Sequence, residues 1–203
     1  MVEIRCHSKT PLYAGNSEYL ELLSIMCYDT HMPSNKASSA DNQQERLKLI
    51  GWIVGFTDGE GCFCVSINRN VKTKLGWQVM PEFVITQGEK SLKSLKIVMN
   101  YFKCGRIFIN NRYDNHKENL YRYCVRSQND LKEIIIPFFR ENKLKTEKQK
   151  AFIKFAKAVE LITEDKIHLS LKGIRRIALI SSKMNRQKKI KFLESSETIR
   201  GAS

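Results

Sequence analysis

Two segments in the middle of the chain alternate between polar and apolar residues with the period of a β-strand. In residues 62–70, every second side chain from Phe63 to Ile67 is apolar. The same alternation recurs in residues 78–85, and the short polar segment 72–76 lies between the two. A period of two on both sides of a turn predicts an antiparallel hairpin with one apolar and one mostly polar face.

Helical periodicity precedes and follows this hairpin, with apolar side chains three or four positions apart. Leu92, Leu95 and Val98, for example, fall on one face of a helix. Pro137 indicates a kink or an early end in the helix that contains it. The predicted elements outside the hairpin are helices over residues 43–58, 89–102, from 129 or 130 through 139, 146–163 and 170–183, and strands over 106–110 and 120–126.

The order of these elements is α-β-β-α-β-β-α, followed by C-terminal helices. Four strands in this order fit one antiparallel sheet with its helices on a single face, which predicts an α+β fold. The other face of the sheet would then be exposed, polar and basic. A twisted β surface of this kind suits the major groove of DNA.

Charge is distributed unevenly along the 203 residues. The formal net charge is +14, which favours a polyanionic partner such as nucleic acid. Residues 1–43 carry a net charge of −2, so the positive excess lies in residues 44–203. Residues 33–42 have the composition of a linker. The sequence therefore predicts an N-terminal extension or arm over residues 1–43 and a folded body over 44–203, with a core at 44–165 and C-terminal helices at 166–203.

The six cysteines do not form a CxxC pair or a set spaced for a metal. Reduced thiols in an intracellular compartment are therefore expected. No apolar N-terminal run resembles a secretory signal, and the longest uncharged apolar run, residues 49–57, is too short to cross a bilayer. These features predict an intracellular protein with no membrane partner.

The first predicted helix carries an unusual spacing of glycines. Gly51, Gly55 and Gly59 are four residues apart and share one stripe, although each glycine inside a helix costs about 1 kcal/mol relative to alanine. A bare stripe lets two helix backbones approach closely, and this contact can offset the cost. Asp58 and Glu60 follow at the C-terminal end, where the helix dipole disfavours carboxylates and a bound divalent cation would reverse the penalty.

The segment that holds these residues, Ile53–Gly61, resembles the LAGLIDADG signature of homing endonucleases. The motif occurs once, as it does in the single-motif members of the family, among them an enzyme encoded in a chloroplast large-subunit ribosomal RNA intron of Chlamydomonas. Further matches follow in the expected order between residues 44 and 165, and they are Pro81 to Gln87, Lys103 to Ile107, Ile136 to Phe139, and Lys148 with Phe152 and Phe155.

The resemblance implies a site-specific, intron-encoded endonuclease that makes double-strand breaks in a long pseudo-palindromic DNA target, such as a ribosomal RNA gene. Its cofactor would be Mg²⁺, with Mn²⁺ expected to substitute and Ca²⁺ expected to bind without supporting cleavage. The enzyme would be a homodimer, because one motif per chain implies two motif helices packed at a two-fold axis. The residues of this dimer interface would be Gly51, Trp52, Gly55 and Gly59.

The resemblance also assigns roles to residues around the motif. Glu60 occupies the acidic position that binds metal, and the backbone carbonyl of Gly59 would be a second ligand. Gln87 matches a position that orients solvent near the metal. Asp58 matches a position that is more often structural than a ligand.

A basic residue near the phosphate completes the family's catalytic site, where it stabilises developing negative charge. Lys148 fits this role best, because Phe152 and Phe155 follow at the spacing of the adjoining helix. Lys145 is the alternative, because the alignment tolerates a short shift at this point.

The exposed sheet face would form the DNA-binding saddle, and the alternation fixes which residues lie on it. Glu60 sets the phase of the first strand, and the other strands follow it by pairing. Arginine pairs naturally with guanine, and asparagine or glutamine with adenine, whereas basic loop residues are expected to meet phosphates. The predicted strand contacts are Cys64, Ser66, Asn68, Asn70, Gln78, Met80, Glu82, Arg106, Phe108, Asn110, Arg122 and Cys124, and the predicted loop contacts are Lys72, Lys74, Arg112 and Lys117.

Two other functions are compatible with the same fold. One is an RNA maturase that assists splicing of its host intron, and the other is a DNA-binding protein that does not cleave. The presence of Glu60, Gln87 and Lys148 favours the enzyme. An intron-encoded protein is expected in an organelle, either a chloroplast or a mitochondrion, or in the cytoplasm of a prokaryote.

Overall fold

A computed structural model of the chain describes residues 39–110, 119–184 and 191–193. The chain divides into two compact units, residues 1–43 and 44–203, and the second of them is described here. The described elements, in chain order, are α1 (Ser39–Glu60), β1 (Gly61–Arg69), β2 (Trp77–Gly88), a 3₁₀ turn (Glu89–Ser91), α2 (Leu92–Phe102), β3 (Arg106–Asn110), β4 (Leu120–Val125), α3 (Gln128–Asp130), a π turn (Leu131–Ile135), α4 (Ile136–Glu141), α5 (Lys148–Thr163), a second 3₁₀ turn (Ile167–Leu169) and α6 (Leu171–Ser182).

The four strands form one antiparallel sheet in the order β1-β2-β4-β3. The predicted α+β fold is therefore confirmed. In the central hairpin Phe63 pairs with Phe83 and Cys62 with Val84, so alternate residues of both strands lie on the same face. The two faces differ sharply in burial, because Phe63 and Phe83 are buried beneath the helices whereas Ser66 on the opposite face is exposed.

The core lies between the sheet and the helices and is built largely from phenylalanine rings. The ring of Phe63 stacks on Phe83 at 5.0 Å between centroids and meets Phe139 edge-on at 5.4 Å. Phe152 and Phe155 of α5 also lie within 5.4 Å of Phe63. Edge-to-face and offset ring pairs of this kind are each worth about 1 kcal/mol beyond the area they bury. This packing fixes α5, and with it Lys148, against the start of β1.

Several boundaries differ from those that the sequence predicts. Helix α1 begins at Ser39, so the last part of the predicted linker 33–42 is helical. The same helix continues through Glu60 instead of ending at residue 58. The predicted arm and linker residues before 39 lie outside the described residues.

The predicted helix around residue 130 consists of α3, the π turn and α4 in succession. Pro137 stands in the first turn of α4, where its missing N–H leaves one helical hydrogen bond unmade. The π turn immediately before it accommodates the break in helical hydrogen bonding. None of the helices in the described part of the chain combines the length and the hydropathy needed to span a bilayer.

Candidate active site and DNA-facing surface

The motif helix ends in a tight junction that presents an acid at the edge of the sheet. Helix α1 ends at Glu60 and β1 starts at the next residue, Gly61. A Cβ atom on Gly61 would lie 2.6 Å from the Thr57 Cγ2 atom and 2.8 Å from its carbonyl oxygen, so only glycine fits. Glu60 and Gly59 are exposed at this junction. Close packing against Thr57 therefore explains why a glycine follows the acid in the signature.

Lys148 reaches this junction from the first turn of α5. Its Nζ atom donates to the carbonyl oxygens of Thr57, at 2.9 Å, and Gly59, at 3.2 Å. Burial lowers the pKa of Lys148, although the negative charges of Asp58 and Glu60 act in the opposite direction. The C-terminal end of a helix attracts cations, because its last carbonyl groups carry partial negative charge. Of the two candidate lysines, Lys148 is thus the one whose ammonium group lies at the motif.

Asp58 holds the motif helix to the segment that precedes α5. One carboxylate oxygen accepts from the backbone N–H of Lys145 at 2.5 Å, and the other accepts from the Thr146 hydroxyl at 2.7 Å and its N–H at 3.3 Å. Burial alone would raise the pKa of Asp58, but these hydrogen bonds and the charge of Lys148 lower it below the ordinary value. This arrangement agrees with a structural role for Asp58. It also shows how Lys145 takes part, through its backbone, while its side chain is exposed.

We expect Asp58→Asn to lower the free energy of unfolding by about 1–2 kcal/mol at pH 7, because hydrogen bonds to a charged carboxylate are lost. The folded-state pKa of Asp58 is lowered, so its contribution is present above the unfolded value of about 4 and disappears as the pH falls through the folded value. Denaturant unfolding at pH 7 and at pH 3 measures both effects. Asp165→Asn, at an exposed turn residue, is the matched control, and equal stability of the two variants at pH 7 would contradict the role.

Gln87 lies near the end of β2, opposite Tyr121 of β4. It stands two residues beyond Ile85, which is the partner of Gly61 in the hairpin. Two strand residues span about 7 Å, so Gln87 lies at the same end of the sheet as the motif acid. The structure therefore brings Glu60, Lys148 and Gln87 to one edge of the fold, although they are widely separated in sequence.

The glycine stripe of α1 faces away from the described part of the protein. A Cβ atom added to Gly51, Gly55 or Gly59 would meet nothing within 4 Å. Trp52, on the same exposed side, stacks on Phe56 with ring centroids 5.0 Å apart and is 39% exposed. Packing among the described residues of one chain therefore gives no reason for the three glycines.

The outer face of the sheet carries the side chains that the alternation predicts for it. Register pairs Ser66 with Met80 and Asn68 with Gln78, and Phe108 with Arg122 on the other half of the sheet. The residues of this face that are exposed are Ser66, Asn68, Gln78, Arg106, Phe108 and Asn110, and those that are half-buried are Cys64, Asn70, Met80, Glu82 and Arg122.

The hairpin turn is organised by Asn70, whose amide donates to Gln78 at 2.8 Å and whose oxygen accepts from the Lys72 N–H at 3.0 Å. Lys72 and Lys74 are exposed in this turn. The remaining two predicted loop contacts, Arg112 and Lys117, lie outside the described residues. The four described cysteines are free thiols, as expected.

Two predicted DNA contacts are corrected by the structure. Cys124 is only 3% exposed, and it lines a hollow of about 350 Å³ together with Arg106, Phe108 and Arg126 among others. Glu82 points to the outer face, but its side chain is 12% exposed. Both of its oxygens accept hydrogen bonds from arginines, one from Arg122 at 3.1 Å and the other from Arg126. Neither side chain is placed to read a base directly.

Arg126 also belongs to this surface, although it is not among the DNA contacts predicted from the sequence. It follows β4 by one residue and keeps the parity of Arg122 and Cys124, so the alternation itself could have identified it. Its guanidinium lies over the ring of Phe108, with 5.4 Å between the guanidinium carbon and the ring centroid.

Comparison with known proteins adds three findings. The sequence profile described as LAGLIDADG endonuclease matches residues 53–159. Probable intron-encoded endonuclease 2 of Neurospora crassa is 36% identical over 128 residues, which is 62% of this chain and 27% of the relative. DNA endonuclease I-CeuI of Chlamydomonas moewusii is 28% identical over 140 residues, covering 67% of this chain and 62% of that protein.

Solved structures agree with the sequence matches. The homing endonuclease I-TnaI superposes with a TM-score of 0.63 and 33% identity, covering 74% of this chain and 97% of that one. The I-LtrWI LAGLIDADG homing endonuclease bound to target DNA gives 0.62 and 28%, covering 88% and 55%. The chain spans about a quarter of the length of the first curated relatives. The family resemblance is confirmed, because the profile covers more than half of the chain, from the motif helix through α5, and the chain belongs to the LAGLIDADG endonuclease family.

Proposed function

We propose that this chain is a site-specific homing endonuclease, encoded by an intron, that makes double-strand breaks in a long DNA target. The observation that carries the proposal is the junction of α1 and β1. There an exposed carboxylate, a cluster of backbone carbonyls and the ammonium group of Lys148 meet at the edge of a polar sheet face. Family membership and relatives named as endonucleases support the same reaction class.

The residues at the junction fit a divalent cation with a preference for oxygen ligands. Mg²⁺ binds carboxylates and carbonyl oxygens and retains several waters, so one protein site seldom supplies all of its ligands. The Glu60 carboxylate and the Gly59 carbonyl provide such oxygen ligands. The Gly59 carbonyl already accepts a hydrogen bond from the positively charged Lys148 ammonium group, which supports an affinity of this oxygen for cations. No group of three or more His, Cys, Asp or Glu side chains that could hold a metal occurs among the described residues. Mg²⁺, which the Glu60 carboxylate and the Gly59 carbonyl would hold, would supply an acidic water and neutralise phosphate charge.

The protein's own groups have separate tasks in this proposal. Glu60 holds the cation beside the scissile phosphate. Lys148 donates hydrogen bonds from its ammonium group to a phosphate oxygen, where negative charge grows during cleavage. Gln87 holds the attacking water through its amide, which does not titrate. Lys145 is the alternative to Lys148. Its side chain is exposed, whereas the Lys148 ammonium group contacts the motif carbonyls, so we favour Lys148.

The DNA duplex would lie against the outer sheet face. Lys72 and Lys74 in the hairpin turn would contact phosphates, which supply affinity but no sequence information. Ser66, Asn68, Gln78 and Arg106 would contact base edges. A duplex partner is supported by a structural neighbour described as bound to uncleaved DNA in the presence of calcium ions.

We further propose that two copies of the chain form the active enzyme. Gly51, Gly55 and Gly59 leave an exposed, bare helix face, and Trp52 borders it. Two such faces in contact would place a Glu60 from each copy near the two-fold axis, one for each DNA strand. Residues 1–43 would be an arm separate from this body, and the protein would act in an organelle or in a prokaryotic cytoplasm.

Cleavage of a defined DNA tests the function. We expect the purified chain, incubated with an intronless large-subunit ribosomal RNA gene and with a library of randomised duplexes, to produce a double-strand break at one sequence in Mg²⁺. In Ca²⁺ it should bind the same sequence without cutting. Sequencing of the cut ends gives the target. Binding without cleavage in any divalent metal would indicate a non-cleaving DNA-binding protein, and improved splicing of intron RNA without DNA cleavage would indicate a maturase.

A pair of lysine variants completes this test. Lys148→Met should reduce the rate of cleavage about 100-fold while Lys145→Met, which removes the same charge three residues away, leaves it nearly unchanged. The opposite ranking would assign the catalytic ammonium group to Lys145.

A further inference from the structure

Three charged side chains form a compact cluster on the outer face of the sheet, here called the Glu82 clamp. Glu82 of β2 accepts from Arg122 of β4 at 3.1 Å through one oxygen and from Arg126 through the other. The carboxylate lies beneath the two guanidinium groups, because its side chain is 12% exposed and theirs are 36% and 52% exposed. The acid is thus covered and the two arginines face outward.

The clamp restricts the conformations that the two arginine side chains can adopt. Free arginine side chains at a surface have many rotamers, and two of them close together repel each other. A shared carboxylate offsets the repulsion and holds both side chains in one geometry. Charge-assisted hydrogen bonds of this kind are stronger than neutral ones, and a buried anchor is screened less by salt than an exposed pair.

The surroundings of Arg126 restrict it further. The ring of Phe108 lies beneath its guanidinium, at 5.4 Å, and Glu82 accepts from its Nε atom. The end of the guanidinium that carries both Nη atoms is therefore the end not used in this ion pair. Arg126 also lines a hollow of about 350 Å³, together with Arg106, Phe108, Ser127 and Asp130 among others. A forked pair of donors that stays available is what arginine uses to bind the edge of guanine.

We propose that Glu82 is a positioning residue for sequence recognition, which acts by holding Arg122 and Arg126 in place to read guanines without contacting DNA itself. This inference rests on the proposed DNA-binding function. It assigns Arg126 to base recognition and removes Glu82 from it. Removal of the negative charge should therefore cost specificity, and it should not cost affinity for DNA in general.

Selection of binding sites in Ca²⁺ from a randomised duplex library tests the inference. The wild type first yields a preferred duplex, and the ratio of Kd values for a random and the preferred duplex defines its specificity. We expect Glu82→Gln to lower this ratio about tenfold, because each forked arginine contact discriminates by roughly that factor or more. Its affinity for the random duplex should be equal or higher, because a negative charge has been removed from a surface that faces phosphates.

Arginine variants show whether the effect passes through the clamp. Arg122→Lys and Arg126→Lys keep the charge but lose the planar fork, so each should lose preference at its own base pairs. Glu82→Gln should lose preference at those same base pairs and at no others. Because these variants leave Glu82 intact, they remain informative if Glu82→Gln folds poorly, which thermal unfolding detects. Glu141→Gln, an exposed acid on α4, is the charge-matched control.

The outcomes separate the inference from the function on which it rests. Unchanged specificity of Glu82→Gln, or loss at a base pair that neither arginine variant affects, would overturn the positioning role and leave DNA recognition standing. Undiminished preference in Arg126→Lys would overturn the assignment of Arg126. If the wild type selects no preferred duplex at all, sequence-specific binding fails, and the positioning role fails with it.

Discussion

Glu60→Gln should abolish DNA cleavage, with a loss on the order of 10³-fold or more, while leaving the fold and DNA binding intact. The two side chains have the same size, but the amide carries no negative charge and is a poor ligand for a hard cation. Glu60 is exposed at the end of α1, so the substitution creates no cavity and leaves no buried group without a partner. Time courses of cutting in Mg²⁺ measure the effect, and equilibrium binding in Ca²⁺ shows whether the variant still recognises its DNA.

The control for this variant must alter charge to the same extent at another place. Glu141→Gln meets this requirement, because it removes one exposed acid from α4 on the helical side of the molecule. It should cleave at the wild-type rate. A Glu60→Gln protein that cuts within tenfold of the wild type would show that the motif carboxylate is not a metal ligand in this chain. Loss of both cutting and folding would be detected by its melting temperature.

The sequence predicts the sheet well because a half-buried antiparallel strand has a strict period of two. Phe63, Val65 and Ile67 had to share a face, and pairing then fixed the face of every neighbouring strand. Helix ends were less accurate. The extension of α1 to Glu60 depends on the junction at Gly61, where the contact with Thr57 is a tertiary feature that no local propensity encodes.

The candidate active-site residues follow from the sequence as a set, since the family motif and the order of the further matches select them. The contacts that these side chains make could not be predicted from the sequence. Lys148 and Lys145 are three residues apart in a basic segment, and only the packing of α5 on the sheet decides which ammonium group reaches the motif carbonyls. That packing depends on Phe152 and Phe155, whose rings meet Phe63 in the core.

The outer sheet face shows a different limit of sequence reasoning. Alternation places Glu82 and Cys124 on this face correctly, yet it does not tell whether neighbouring side chains cover them. Glu82 is covered because Arg122 of β4 and Arg126, one residue beyond β4, bind its oxygens, and both are 40 or more positions away in sequence. Charge compensation across strands is a property of the assembled sheet, so it becomes visible only in the structure.

Gly55→Leu should abolish self-association of the chain and, with it, double-strand cleavage. A Cβ atom at Gly55 meets nothing within 4 Å among the described residues of one copy, so we expect the variant to fold. Leucine also has a better helix propensity than glycine by about 0.8 kcal/mol, which should stabilise the isolated chain slightly. In the proposed dimer the same side chain would stand between two closely packed helices and force them apart. Sedimentation analysis should therefore give a monomer for the variant and a dimer for the wild type.

Thermal unfolding at several protein concentrations provides an independent test of the same interface. Because association stabilises the folded state by mass action, the melting temperature of the wild type should rise with concentration, whereas that of Gly55→Leu should not. Lys157→Leu places the same leucine side chain at an exposed position of α5, outside the stripe, and should remain a dimer. A Gly55→Leu protein that still dimerises would place the interface elsewhere. A wild type that is monomeric at every concentration would leave the stripe to pair with a helix of a different chain or of a longer polypeptide.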